Sequence, residues 1–436
     1  LKFWQYFLSF VLLQALVLWC WLDPDVDLEI YSYIITELLL LLYFIWMCLY
    51  KGCPGRRTFF GGAAMVLIVV ETAGNGIYGL CENGSIDRTS YNQYLDSARE
   101  LKNLVQKQED GGFYRMELDS FSARNNNMYL ALPGVSLFAS TMGASINDLM
   151  GKVGYFEATN KYSYVGATSL TDSIFGIKYL LSTDKTDQIR TFNYMSTSGS
   201  QSIYKNPYAL SLGFMVDSNY ANWNYNLALP DDVLNDFVQK TTGTDQFLFK
   251  DEEINGLTSE TCQLSDLGNG QYSYTKENAG DEGCVTLSMD ITDGQTRYIY
   301  YRAANCDSLK VSRNDSVKTY SDTRGHLVEL GHDGHIELEF VTDSDHSTGT
   351  IELYMFTYDT QENENFYNEV SQNQWDIEEF SSTRISGTIN ADEDGIMFTS
   401  IPYDSGWTVK VDGQKVETQS IGGSLMYIYL SAGEHT

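Results

Sequence analysis

Glu71 and Asn75 stand four residues apart in an apolar run, so on a helix the two polar groups share one face. A carboxyl group at mid-membrane is costly and is kept where it faces a bundle interior or a wet cavity. Two readings are open for the pair, a polar wall of a substrate cavity or an interhelical hydrogen bond. Gly74, Gly76 and Gly79 would let another helix come close. Further along, Arg115, Arg124 and Lys178 carry charge suited to anionic groups, or equally to ordinary surface ion pairs, which stabilise little. The run Tyr220-Ala-Asn-Trp-Asn-Tyr225 sets rings among amides, with Trp223 at its centre. Flat rings edged by hydrogen-bonding groups suit the faces of sugars. The same rings would also cap a junction between domains.

Other chemistry is thinly represented. His332-Asp-Gly-His335 reads as a turn between strands, since no third and fourth ligands follow at zinc-like spacing. No stretch matches a calcium loop, a nucleophile elbow, a phosphate-binding glycine loop or a dinucleotide fingerprint. Cys81, Cys262, Cys284 and Cys306 fall in the polar part, where one disulfide among the last three would suit an oxidising space. Their pairing is open, and without a CxxC pair a zinc ribbon is excluded.

These residues need elements to hold them, and the first elements are membrane spans. The runs 3–22, 30–50 and 59–80 are each apolar on every face and long enough to cross a hydrocarbon core of about 30 Å. Glu37 and Glu71 are the only charges inside them. Lys51, Arg56 and Arg57 lie between the second and third runs and Lys2 precedes the first, whereas Asp23, Asp25 and Asp27 fill the loop between the first two. Basic loops are retained on the cytoplasmic side, so the third helix runs outward and residues 82–436 are expected outside the cell. Trp19, Trp21 and Trp46 then fall near the interfaces, where amphipathic rings settle.

Charge divides along the same line. Of 28 basic and 58 acidic residues, only four and six lie in residues 1–81, so nearly all the net charge of −30 belongs to residues 82–436. Such a surface repels phosphate backbones, which excludes nucleic acid as a partner. Residues 82–250 read as mixed α/β. A helix is expected over 91–108 with Ser90 as N-cap, a strand over 113–118, helices at 145–153, 171–175 and 230–238, and a strand at 178–182. From 251 onward the period becomes two: Val285, Leu287, Met289 and Ile291 alternate, as do Ile336, Leu338 and Phe340, and Ile351, Leu353 and Met355. A strand over 407–411 turns at Asp412-Gly413, and one helix near 362–374 interrupts the series. The expected fold is therefore multidomain: three transmembrane helices over 1–81, an extracytoplasmic α/β domain over 82–250 and a jelly-roll-like β-sandwich over 251–436.

The order of several segments carries a resemblance. Phe113-Tyr-Arg-Met-Glu-Leu118, Asn125-Asn-Asn127, Leu137-Phe-Ala-Ser-Thr141, Gly154-Tyr155, Thr171-Asp-Ser-Ile-Phe-Gly-Ile-Lys-Tyr-Leu180 and Asn206-Pro-Tyr-Ala-Leu-Ser-Leu-Gly-Phe-Met215 together resemble the YfhO family of bacterial membrane proteins. Tyr403-Asp-Ser-Gly-Trp-Thr-Val-Lys-Val-Asp-Gly413 with Ala432-Gly-Glu-His435 fits its C-terminal part. The resemblance implies the plan of an integral-membrane glycosyltransferase of the GT-C type, taking a sugar from a polyprenyl phosphate to an envelope polymer such as lipoteichoic acid. It implies a base in the first outer loop, a loop expected upstream of this chain, and cations or a divalent metal at the leaving phosphate. Asn126, inside the asparagine motif, joins Glu71, Asn75, Arg115, Arg124, Lys178 and Trp223 as a candidate for binding substrate.

Two other classes compete. One is a non-catalytic anchored protein that binds glycan or a partner; the other is a transporter or flippase with an outer domain. An acidic first outer loop and about eight to ten further spans would mark the enzyme, whereas paired inverted repeats would mark the transporter.

Overall fold

The computed structural model describes residues 3–23, 30–84, 87–109, 113–119, 125–183, 188–314 and 316–436. Lys2, Asp25, Asp27 and Arg124 lie outside the described residues. Contacts divide the chain into two compact units, Leu1–Arg88 and Thr89–Thr436.

The first unit is three helices, α1 (Phe3–Leu22), α2 (Ile30–Gly52) and α3 (Arg57–Glu82), with a 3-10 turn at Pro54–Arg56. At 20, 23 and 26 residues they are about 30–39 Å long, enough to span a bilayer. α2 packs on both neighbours. Tyr33 Oη donates to Cys20 O at 3.1 Å, Trp46 Nε1 to Phe60 O at 2.7 Å, and the Phe44 ring stacks on Phe10 at 4.7 Å. No residue of α1 or α2 is buried, and Leu12, Val66 and Leu80 stand largely exposed. An apolar surface of that extent requires hydrocarbon or further helices around it.

The second unit is rich in β-structure and begins with α4 (Arg88–Gln108). That helix starts three residues earlier than expected, so Ser90 lies in its first turn and is not its cap. Its stripe Leu95, Ala98, Leu101 and Val105 packs on Met116, Leu118, Tyr179, Leu181 and Ile203 of a five-stranded sheet. The order there is Arg115–Leu118, Ile177–Ser182, Gln201–Lys205, Phe192–Ser198, Gln188–Ile189, with the first pair parallel. The last three strands of that order are not among those expected from the sequence.

A six-stranded and a four-stranded sheet come next. Thr296–Ala304 and Thr348–Tyr358 are central to one; Cys284–Ile291, Gly334–Thr342 and Cys306–Arg313 form most of the other. Alternate residues from both, among them Val285, Leu338, Phe340, Ile299, Tyr301 and Leu353, share one core. The intervening residues Tyr298, Tyr300, Phe356 and Tyr358 point into a second core with Leu170, Phe237 and Phe249. That sheet is therefore buried on both faces.

The line expected at residue 250 is crossed by strand pairing. Gly213–Val216 lies beside Gly395–Pro402, with Phe214 opposite Phe398, and the second core runs on to Tyr427. The expected strand over 407–411 is shorter, Lys410–Val411, because Trp407 N turns back to Asp404 O. The turn itself is as expected: Asp412 and Gly413 have φ of 52° and 77°, the left-handed pair a two-residue hairpin needs. His332-Asp-Gly-His335 bridges the strands His326–Gly331 and Gly334–Thr342, as read from the sequence.

Candidate functional site

The parallel pairing of Arg115–Leu118 with Ile177–Ser182 sets Arg115 opposite Ile177, one residue from Lys178. Arg115 and Lys178 thereby line one cavity of about 340 Å³, walled by Tyr114 on one side and by Gln374 and Trp375 on the other. Those last two follow the helix Thr360–Val370 and its 3-10 turn Ser371–Asn373, and Trp375 N donates to Gly213 O at 2.8 Å.

The two cations are held differently. Arg115 Nη1 donates to Phe175 O at 2.6 Å and to Ser400 Oγ at 2.7 Å, and Nη2 to Ser400 O at 3.0 Å. All these acceptors are neutral, and no ion pair to Arg115 occurs among the described residues. Burial pulls its pKa down to about 10, still charged at neutral pH. Lys178 Nζ meets Glu109 Oε2 at 2.8 Å, and Tyr179 also donates to that carboxylate. Burial would raise Glu109, but the bonds from Lys178 and Tyr179 outweigh it and hold the carboxyl below its ordinary range. Asp376 is the one acid lining the cavity among the described residues. A guanidinium fixed by neutral acceptors keeps its field for an anion, and an indole beside it offers an apolar face.

Other candidates lie elsewhere. Tyr43 on α2 donates to Glu71 on α3, so the interhelical hydrogen bond exists. Asn75 is exposed one turn on, and nothing described lies within 4 Å of a Cβ built at Gly74, Gly76 or Gly79. Asn126 is buried, 1% exposed, between two working neighbours. Asn125 pairs with the backbone of Phe138 through both side-chain atoms, and Asn127 Nδ2 donates to Glu117 Oε1 at 3.0 Å. The asparagine motif is thus an interior brace, which removes Asn126 from contact with a ligand. Trp223 is corrected too. It is 5% exposed, stacks on Tyr220, and spends its indole N–H on Val233 O at 3.0 Å. Its ring faces belong to the core because Phe237 and Phe398 complete the cluster.

A family model described as Bacterial membrane protein YfhO matches residues 1–436. This chain belongs to that family. A Bacillus subtilis (strain 168) relative, named "Uncharacterized protein YfhO", is 22% identical over 374 residues, covering 78% of this chain. The match spans 42% of that relative's length. Among solved structures, the enzymatically active domain of tailspike protein 4 of bacteriophage CBA120 matches at 11% identity, over 25% of this chain and 18% of that one, with a TM-score of 0.17. The xylan-binding module CBM86 from Roseburia intestinalis matches at 14% identity, over 26% of this chain and 97% of that one, with a TM-score of 0.18. Overlaps at that score assign no fold.

The YfhO-like segment Thr171–Leu180 contributes a second charged group that the sequence reading passed over. Asp172 is fully buried; Arg190 Nε donates to its Oδ2 at 2.8 Å, and Tyr164 Oη donates to its Oδ1 while accepting from Arg190 Nη2 at 2.6 Å. Burial raises the Asp172 carboxyl to about 6 against the pull of Arg190. In the YfhO-like strand before it, Glu117 is also fully buried and accepts from the backbone N–H groups of Leu118, Val135 and Ser136 at 2.6–2.9 Å. Burial raises it to about 6. Among the described residues no group of three or more His, Cys, Asp or Glu is placed to hold a metal ion. All seven cysteines are free thiols.

Proposed function

We propose that this chain is the C-terminal portion of a membrane glycosyltransferase that moves a sugar from a polyprenyl-phosphate carrier to an anionic cell-envelope polymer, such as lipoteichoic acid. In this reading residues 82–436 stand on the extracytoplasmic side and hold the acceptor, and the two sheets sharing a core form a jelly-roll-like β-sandwich. The observation that carries it is the Arg115 guanidinium, bonded only to neutral acceptors, in an open cleft with Lys178 and Trp375. In an acidic unit, a cleft of that character selects an anion that also presents an apolar face. The alternation of inward residues supports the sandwich, and the basic loop between α2 and α3 supports the orientation.

Transfer breaks the bond from the sugar's anomeric carbon to phosphate and forms one to an acceptor oxygen, whose proton passes to a carboxylate. No residue of this chain is assigned as that base. A strain lacking the gene is expected to lose sugar on one envelope polymer while backbone synthesis of the polymer continues; NMR of the extracted polymer measures both. Unchanged glycosylation would remove the enzymatic reading and leave an anchored binding protein.

A further inference from the structure

A second cavity of about 410 Å³ adjoins the cleft, and Phe113 and Tyr114 line both. Each volume falls in the range of about 300–1,000 Å³ usual for small-ligand sites. The two differ in chemistry. The cleft carries Arg115 and Lys178; the neighbour is walled by Phe113, Phe380, Met116, Leu132 and Pro133, with Gln106 and Lys102 at its edge. Phe113 joins them physically: its ring lies 4.3 Å from that of Phe380, and the Arg115 guanidinium stands 5.6 Å from its centroid. Lys102 Nζ is committed to Leu130 O at 2.8 Å, so the cavity's walls are chiefly apolar. Phe380 is 48% exposed and lines this cavity on a strongly acidic chain.

We propose that the aromatic cavity is a saccharide subsite continuous with the anion subsite. A phosphodiester-linked polymer would seat one phosphate at Arg115 and lay the C–H face of an adjacent sugar on Phe380, with Gln106 meeting a hydroxyl. The ligand class is a glycosylated polyol phosphate. A bare polyanion would leave the aromatic wall wet, and a neutral glycan would leave Arg115 without its anion; only a ligand bearing both groups uses both cavities. This inference rests on the acceptor-holding role proposed above.

The test uses the full-length protein in lipid nanodiscs and two synthetic probes, a glycerol phosphate oligomer and the same oligomer bearing hexosamine. Calorimetry is expected to give tighter binding of the sugar-bearing oligomer. Phe380→Ala is expected to weaken that binding about fivefold and leave the bare oligomer unchanged, while Phe380→Tyr, which keeps the ring, restores it. Equal loss for both probes in Phe380→Ala, or no loss for either, overturns the saccharide subsite and leaves the acceptor reading standing. Failure of the unsubstituted protein to bind either probe overturns both.

Discussion

Arg115 and Arg190 are two guanidinium groups set in the same unit, and their surroundings assign them opposite work. Arg190 meets the carboxylate of Asp172 in a site closed by Tyr164 and Tyr298; the charge is neutralised where it sits. The Asp172 carboxylate and the Tyr164 hydroxyl hold Arg190 well above its ordinary range in spite of burial. Arg115 is held by carbonyls and a hydroxyl at the edge of a cleft, and burial lowers it. Residue type does not separate a brace from a binding group. The charge of the partner does.

Substitutions sharpen that contrast. Arg190→Leu strands the Asp172 carboxylate in the core and is expected to cost about 3–5 kcal/mol, read as a lower denaturation midpoint of the full-length protein in detergent. Adding Asp172→Asn should recover a large part of it; a loss below about 1 kcal/mol in the single variant would show that the pair is not the brace described.

The second effect concerns carboxylates without a cation. Glu117 is raised to about 6 from an ordinary value of 4.5, so the folded protein binds its proton more tightly than the unfolded chain. That contribution is fully present below pH 4.5 and is lost as pH rises through 6, a fall of roughly 2 kcal/mol. Denaturation midpoints across about pH 4–7 measure it, and Glu117→Gln is expected to flatten that limb. A limb that rises with pH and is unchanged in the variant would reverse the assignment.

The third effect appears in binding before stability. Arg115→Met is expected to weaken the glycerol phosphate oligomer about tenfold and to reduce the salt dependence of its binding, with a stability loss of about 1–2 kcal/mol from the stranded Phe175 and Ser400 acceptors. Unchanged affinity would make Arg115 a brace like Arg190.

Much of the fold was legible where one physical demand acted alone. Apolarity on every face marked the spans, and α1 to α3 follow the expected runs within a few residues. Strict alternation marked Cys284–Ile291, since one of its faces looks inward. It failed for Thr296–Ala304, where Tyr298 through Tyr301 are all buried and a two-sided strand shows no period. The site was half legible. Arg115 and Lys178 stood out as cations near a motif, but Gln374 and Trp375 reach them from far along the chain, and no local pattern marks that return. Trp223 misled because rings among amides compose a core corner as readily as an exposed loop.

The pairing of Gly213–Val216 with Gly395–Pro402 bears on biogenesis. Chains emerge from the ribosome at about 5–20 residues per second, so the earlier strand waits on the order of tens of seconds with an unfilled edge. Through that interval Phe214 has no Phe398 to cover it, so the nascent edge stays open until Gly395–Pro402 has been made.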